Sequence, residues 1–166
     1  MLISTGIPSK KNIEEITPDK ARRLKGAVAV IECFQEIPCN PCVASCRYGA
    51  ISMYEDINSL PEVDFDKCIG CGVCVTKCPG LAIFIVDESF SEDFALVKIP
   101  FEYRPLPEAG QYACGLNREG KELGWFRVNK VTSGSKKNMT YVITLEVPHE
   151  LVMEIRNICE GGYRDV

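Results

Sequence analysis

The chain of 166 residues, 46% of them hydrophobic and with a net charge of −4, has material for one ordinary domain or two small ones. It contains no apolar run near the roughly 20 residues a membrane helix needs, and the acidic balance argues against nucleic acid as a partner. The opening MLISTGIPSKKN lacks the apolar stretch of a secretory signal, so the expected location is cytoplasmic, with no membrane span.

Residues 1–26 read as an N-terminal arm with two helix starts, one at Ser9 and one at Thr17, where Pro18 would take the first helical position. Its basic residues (Lys10, Lys11, Lys20, Arg22, Arg23, Lys25) alternate with acids, the pattern of a solvated helical face. AVAVIE (27–32) reads as a buried strand. A first cysteine group follows, with a short helical turn after Cys42, then the strand AISMY. INSLPEVDFD supplies turn residues and a return strand, and after a second cysteine group LAIFIVDE closes a unit spanning 27–92. The acidic stretch from Glu55 to Asp66 reads first as a solvated hairpin and second as a docking segment.

From residue 93 strand patterns dominate. FALVKIPFEY is one strand, YRPLPEAG a proline-rich connector, and YACGLNREGKELGWFRVNKV a hairpin turning at Arg118–Lys121. MTYVITLEV alternates, with Tyr141, Ile143, Leu145 and Val147 on one face, and PHELVMEIRNIC places Leu151, Val152, Ile155 and Ile158 on one face of a helix. The expectation for 93–166 is a small antiparallel β-barrel-like module with a C-terminal helix. It shows no GxGxxG, no P-loop and no catalytic constellation, and His149 reads as a cap or surface residue rather than a base.

Ten cysteines are the unusual feature. Eight fall between residues 33 and 78, too tightly grouped for a typical disulfide framework, and in a reducing compartment such grouping favours metal ligation. Cys114 and Cys159 stand far from the rest and read as plain buried thiols.

Residues 68–79, CIGCGVCVTKCP, place Cys68, Cys71, Cys74 and Cys78 in a C-x2-C-x2-C-x3-C-P run. Three thiolates two residues apart, on a loop that curls round a small object, can occupy three corners of one cube. Gly70 and Gly72 let that loop turn tightly and bring backbone N–H groups close to sulfur. Four-Cys zinc sites normally come as two separated C-x2-C pairs, which this run is not. The pattern also repeats. Cys39-x2-Cys42-x3-Cys46-x3-Ala50-Ile51 maps onto Cys71-x2-Cys74-x3-Cys78-x3-Ala82-Ile83 at a constant offset of 32 residues. Cys33 alone breaks the offset, lying 35 residues before Cys68, so the first loop has three extra residues between its first and second cysteines. Pro38 would stiffen that longer arm. Either Cys33 is a ligand, or it is a packed thiol beside a three-thiolate site. Arg47 stands where the second run has Pro79, and reads either as a cation near the site Cys46 serves or as a solvent-facing arginine.

Residues 33–83 resemble two-cluster bacterial-type ferredoxins. The resemblance implies an α+β architecture, a ferredoxin-like domain with pseudo-twofold symmetry that carries two [4Fe-4S] clusters. In such ferredoxins the fourth cysteine of each run serves the other cluster. Carried over, Cys33, Cys39, Cys42 and Cys78 would hold cluster 1, and Cys68, Cys71, Cys74 and Cys46 would hold cluster 2. The wider layout, with its IECFQEIPCNPC loop, CIGCGVC and CPGLAI segments and VPHELVMEIRNI tail, is similar to the small iron–sulfur subunits of multi-subunit, FAD-dependent dehydrogenases. Some of those oxidise proline, hydroxyproline or glycerol 3-phosphate. That resemblance implies an electron-transfer subunit with no catalytic site of its own. It would relay single electrons between an FAD-containing dehydrogenase subunit in a hetero-oligomer and a soluble or quinone-linked acceptor. Residues 93–166 would be its docking module, with Pro100 to Pro107 at or near the contact. The competing readings are a free-standing ferredoxin with several transient partners and a zinc-stabilised interaction module.

Overall fold

The structure is a computed structural model that describes residues 2–135 and 138–165. The N-terminal arm forms three short helices, α1 (Leu2–Thr5), α2 (Lys10–Ile16) and α3 (Lys20–Arg23). Ser9 caps α2 as its sequence predicts, in a reciprocal pair with Asn12. The second start lies two residues later than expected. Asp19 caps α3 by accepting from the Arg22 N–H at 2.7 Å, while Thr17 ends α2 and its hydroxyl donates to the Ile13 carbonyl. A carboxylate is a strong N-cap acceptor, and Thr17 is taken up by the preceding turn.

Strand β1 (Val28–Ile31) precedes α4 (Pro41–Ser45), which has proline in its first turn; β2 (Ile51–Met53) and β3 (Pro61–Val63) then pair as a small antiparallel ribbon. A 3₁₀ turn over Val75–Lys77 leads to β4 (Ile83–Asp87). β5 (Phe94–Phe101), β6 (Tyr112–Leu116), β7 (Glu122–Ser135), β8 (Asn138–Pro148) and β9 (Asn157–Ile158) complete the order. The hairpin between β6 and β7 turns at 117–121, one residue wider than the Arg118–Lys121 turn its sequence indicates.

Seven of these strands form one antiparallel sheet in the order β1-β4-β5-β8-β7-β6-β9. The sheet crosses residue 92: β4 and β5 are neighbours, with Ile85 opposite Lys98 and Val86 opposite Val97. Alternation assigns the two faces. Val28, Val30, Phe84, Val86, Val97, Ile99, Val128, Ile143 and Leu145 point to one shared core. Ala29, Ile31, Ile83 and Ile85 point the other way, toward the cysteines. β1 and β4 are therefore covered on both faces, which is why β1, and β4 as far as Val86, are apolar and do not alternate. Each fully buried Val, Ile or Phe contributes about 1.5–3 kcal/mol, so the core strands β1 and β4 depend on the strands that follow residue 92.

The two edges of this sheet meet. Glu32, directly after β1, receives two hydrogen bonds from Arg118 in the β6–β7 turn, at 2.8 and 2.6 Å, and one from Arg156 just before β9, at 2.5 Å. The seam is barrel-like in outline but closed by side chains instead of a hydrogen-bonded ladder. Arg156 also lies over the Phe84 ring at 4.8 Å.

The predicted C-terminal helix is reduced to a 3₁₀ turn, His149–Leu151, followed by turns and β9. Val152, Ile155 and Ile158 are buried in the shared core all the same. The free edge of β6 offers backbone partners that a helix would forgo: the Arg156 N–H bonds to the Leu116 carbonyl, and the Cys159 N–H to that of Cys114. Among the described residues no helix is long and apolar enough to cross a membrane.

Candidate metal centre

The repeated Ala-Ile has a structural counterpart. After α4 the chain turns so that the Ala50 N–H donates to Cys46 Sγ at 3.3 Å; after the 3₁₀ turn the Ala82 N–H donates to Cys78 Sγ at 3.5 Å. A third such bond runs from the Ala29 N–H in β1 to Cys68 Sγ at 3.3 Å. Backbone donors aimed at sulfur stabilise thiolate charge.

Two cavities lie between the cysteine loops and the outer face of β1 and β4. One is lined by Cys33, Cys39, Cys42 and Cys78. The other is lined by Cys46, Cys68, Cys71 and Cys74. Each motif thus sends its last cysteine into the cavity of the other. The two are alike in size, about 370 and 350 Å³ counting the solvent-filled mouth, so the three extra residues after Cys33 have not collapsed the first. Gln35 and Ile37 from that insert form part of its wall, and the Cys39 N–H is fixed to the Ile57 carbonyl at 3.0 Å.

The walls are otherwise mostly apolar, with Ser59 on the first and Ser45 and Tyr48 on the second. Cys42 and Cys74 are buried with Ile31, Ile51, Val75, Ile83 and Ile85. Burial pushes the Cys74 thiol up to about 12, reinforced by the charges of Cys68 and Cys71. Burial also raises Cys33 and Cys42, and both feel charge from Cys78 and Cys39. The electrostatic neighbours of these three thiols are thus members of their own cavities. Four soft thiolate donors per cavity, a dry wall and N–H groups on sulfur suit an iron–sulfur cluster, whose iron would offset the mutual repulsion of the thiolates.

The second loop is held from three sides. Arg22 donates to the carbonyls of Phe65, Gly26, Ala27 and Cys68, tying the N-terminal arm to it. Lys98 in β5 donates to the Gly70 carbonyl at 3.1 Å, and Asn138 in β8 to that of Thr76 at 2.6 Å. At Gly70 φ is +63°, and an added Cβ would lie 2.3 Å from Ala27 Cβ. Gly70→Ala is expected to lose about 1–3 kcal/mol from the backbone conformation alone, with the clash added. Thermal unfolding and the iron retained after brief exposure to air would measure it; unchanged values would show that the loop can move away from β1.

Arg47 is exposed, so solvent screens its charge and favours the plainer of its two readings. His149 is a partly exposed surface residue whose Nε2 lies 3.0 Å from the Ser91 carbonyl. The Arg22 clamp and the Glu32 seam carried no sequence signal, because each joins residues with no spacing relation. Cys114 and Cys159, read as plain buried thiols, are brought together at the opposite end of the sheet order; Cys114 is buried, whereas Cys159 is only partly so.

Residues 37–82 match the family described as the 4Fe-4S dicluster domain. The chain is 49% identical over 39 residues to the thiosulfate reductase electron transfer subunit PhsB of Salmonella typhi, covering 24% of this chain and 19% of that protein. It is 46% identical over 71 residues to a selenate reductase subunit of Mesobacillus selenatarsenatis, covering 42% and 23%. With pyruvate synthase subunit PorD of Methanocaldococcus jannaschii it shares 40% over 52 residues, 31% of this chain and 58% of that one. The matched segments thus span from about a fifth to under two thirds of these relatives. No solved structure matches the chain.

Proposed function

We propose that this chain is an electron-transfer subunit of a larger oxidoreductase, with one [4Fe-4S] cluster in each cavity. Cys33, Cys39, Cys42 and Cys78 are the proposed ligands of the first, and Cys68, Cys71, Cys74 and Cys46 those of the second. The observation that carries the reading is the pair of similar cavities, each lined by four thiols drawn from both motifs. A bound cluster of this kind supplies a one-electron couple. The protein's part is to hold the thiolates, to direct N–H groups at sulfur and to keep water from the cavities. Relatives named as subunits of reductases and of a synthase support membership of a complex. The proposed partner is a flavin-containing dehydrogenase subunit, by the resemblance of the cysteine loops and tail, with residues 93–166 contributing to the contact.

The partner-facing side is proposed at Cys71, which is exposed beside a polar cleft lined by Lys77, Lys98 and Lys130. On a chain of net charge −4, lysines grouped at a thiol of the second cavity favour an acidic docking face. Lys77→Glu with Lys130→Glu is expected to slow electron exchange roughly tenfold at low salt, with the difference shrinking as salt is added. Stopped-flow reduction at two ionic strengths would show it, and equal rates would remove the cleft from the docking surface.

The test of the main reading is anaerobic isolation of the tagged chain from its native cells. The expected result is a flavin-containing subunit at fixed stoichiometry whose substrate bleaches the visible absorbance of this chain. A chain that isolates alone and is reduced by several unrelated donors would establish the free-standing ferredoxin instead.

A further inference from the structure

We propose that Cys114, Cys159 and Glu122 form a separate metal site for a thiophilic, tetrahedral divalent cation of the zinc class. The proposal does not depend on the iron–sulfur reading, since none of these residues lines either cysteine cavity.

The site is built by strand register. Gly115 pairs with Ile158 and Leu116 with Asn157, which sets Cys114 opposite Cys159, and the Cys159 N–H bonds to the Cys114 carbonyl at 2.9 Å. Ala113 and Ile158 turn into the shared core, so Cys114 and Cys159 lie on the outer face of the sheet. Glu122 reaches that face through a β-bulge. Gly115 pairs with Gly124, but Leu116 pairs with Glu122, leaving Leu123 as the extra residue. Without the bulge Leu123 would oppose Leu116 and face outward, and Glu122 would turn inward. With it, Leu123 packs on the core and the carboxylate joins the two thiols. Gly124, at φ +136°, has the backbone freedom the bulge requires.

The two sulfurs and a carboxylate oxygen all lie within 4.8 Å of one another. Bonds of about 2.3 Å at tetrahedral angles place sulfurs roughly 3.8 Å apart, a closure within reach of small side-chain rotations. Cys114 is buried, whereas Cys159 is half-buried and Glu122 exposed, so the open side admits a water as fourth ligand. Thiolates beside a carboxylate select zinc over magnesium or calcium. Two facing cysteines alone would equally suit a disulfide; the carboxylate that the bulge turns toward them, which also interacts with the Cys114 thiol, supplies a third donor for a cation. Such a site would pin the two-residue strand β9 to β6 and β7, immediately after Arg156 of the Glu32 seam.

The test is anaerobic equilibrium dialysis of the iron-loaded chain against chelator-buffered, nanomolar free Zn²⁺, with zinc and iron counted per chain. Wild type is expected to take about one zinc with its iron unchanged, and Cys114→Ser with Cys159→Ser less than a tenth of that. Glu122→Gln, a change at an exposed position, is expected to weaken zinc binding at least tenfold, and it decides the matter if the double variant loses iron or fails to fold. Zinc below a tenth per chain in wild type, wild-type affinity in Glu122→Gln, or a Cys114–Cys159 disulfide in the native protein would each overturn the site.

Discussion

Cys78→Ala will disturb the site of Cys33, Cys39 and Cys42, and leave the one formed by the rest of its own motif. Wild type prepared without oxygen should carry about eight iron and eight sulfide per chain, and the variant should lose iron from one site only. Because Cys78 lines the first cavity, combining it with Cys33→Ala should cost little beyond either single change. Combining it with Cys71→Ala, whose thiol lines the second cavity, should disturb both sites. Residues that act on one site are non-additive, whereas residues on separate sites add. Reciprocal behaviour is expected of Cys46→Ala, which should act on the second cavity. Iron analysis with low-temperature paramagnetic resonance separates these outcomes. Full iron in Cys78→Ala would reject the crossed arrangement, and full iron in Cys33→Ala would make Cys33 a packed thiol.

Glu32→Gln is expected to lower stability by about 3–5 kcal/mol, since it leaves two guanidiniums facing one another without their shared anion. Burial alone would push the Glu32 carboxyl up, but Arg118 and Arg156 outweigh it and hold the group below the usual range. Burial pushes Arg156 down to about 10 even with Glu32 beside it, so this cation is costly to bury and depends on the carboxylate. The sign for Glu32 follows. Its folded value lies below the unfolded value near 4.3, so its contribution is present in full above about pH 5 and is lost as pH falls through the folded value. Chemical denaturation of wild type and variant should differ most at neutral pH and converge in acid. A constant difference across that range would place the effect in packing and not in charge.

Local features of the fold were legible where one segment carried its own signal. The apolar runs of β1 and β4, the Ser9 cap and the turn at 117–121 all correspond to the structure. The periodicity of Val152, Ile155 and Ile158 identified buried residues correctly but not their conformation, because three residues apart fits a run of turns leading into a strand as well as a helix. The continuity of the sheet across residue 92 was not legible, since strand partners are chosen by tertiary register and not by local pattern. At the site, the 32-residue repeat pointed to cysteines that the structure gathers into two groups. The seam at Glu32 and the meeting of Cys114, Cys159 and Glu122 depend on how the sheet is rolled and bulged, which leaves no mark on spacing.

The exchange of Cys46 and Cys78 between the cavities also sets an order on biogenesis. A ribosome delivers Cys33, Cys39, Cys42 and Cys46 well before Cys78, so the emerging first half presents three thiols of one cavity and one of the other. Neither set is complete until the second motif has left the exit tunnel, and β4, the wall shared by both cavities, comes later still. On the proposed cluster reading, assembly would thereby be deferred until both halves are available to fold together, and a truncated nascent chain would offer iron no finished four-thiol cavity.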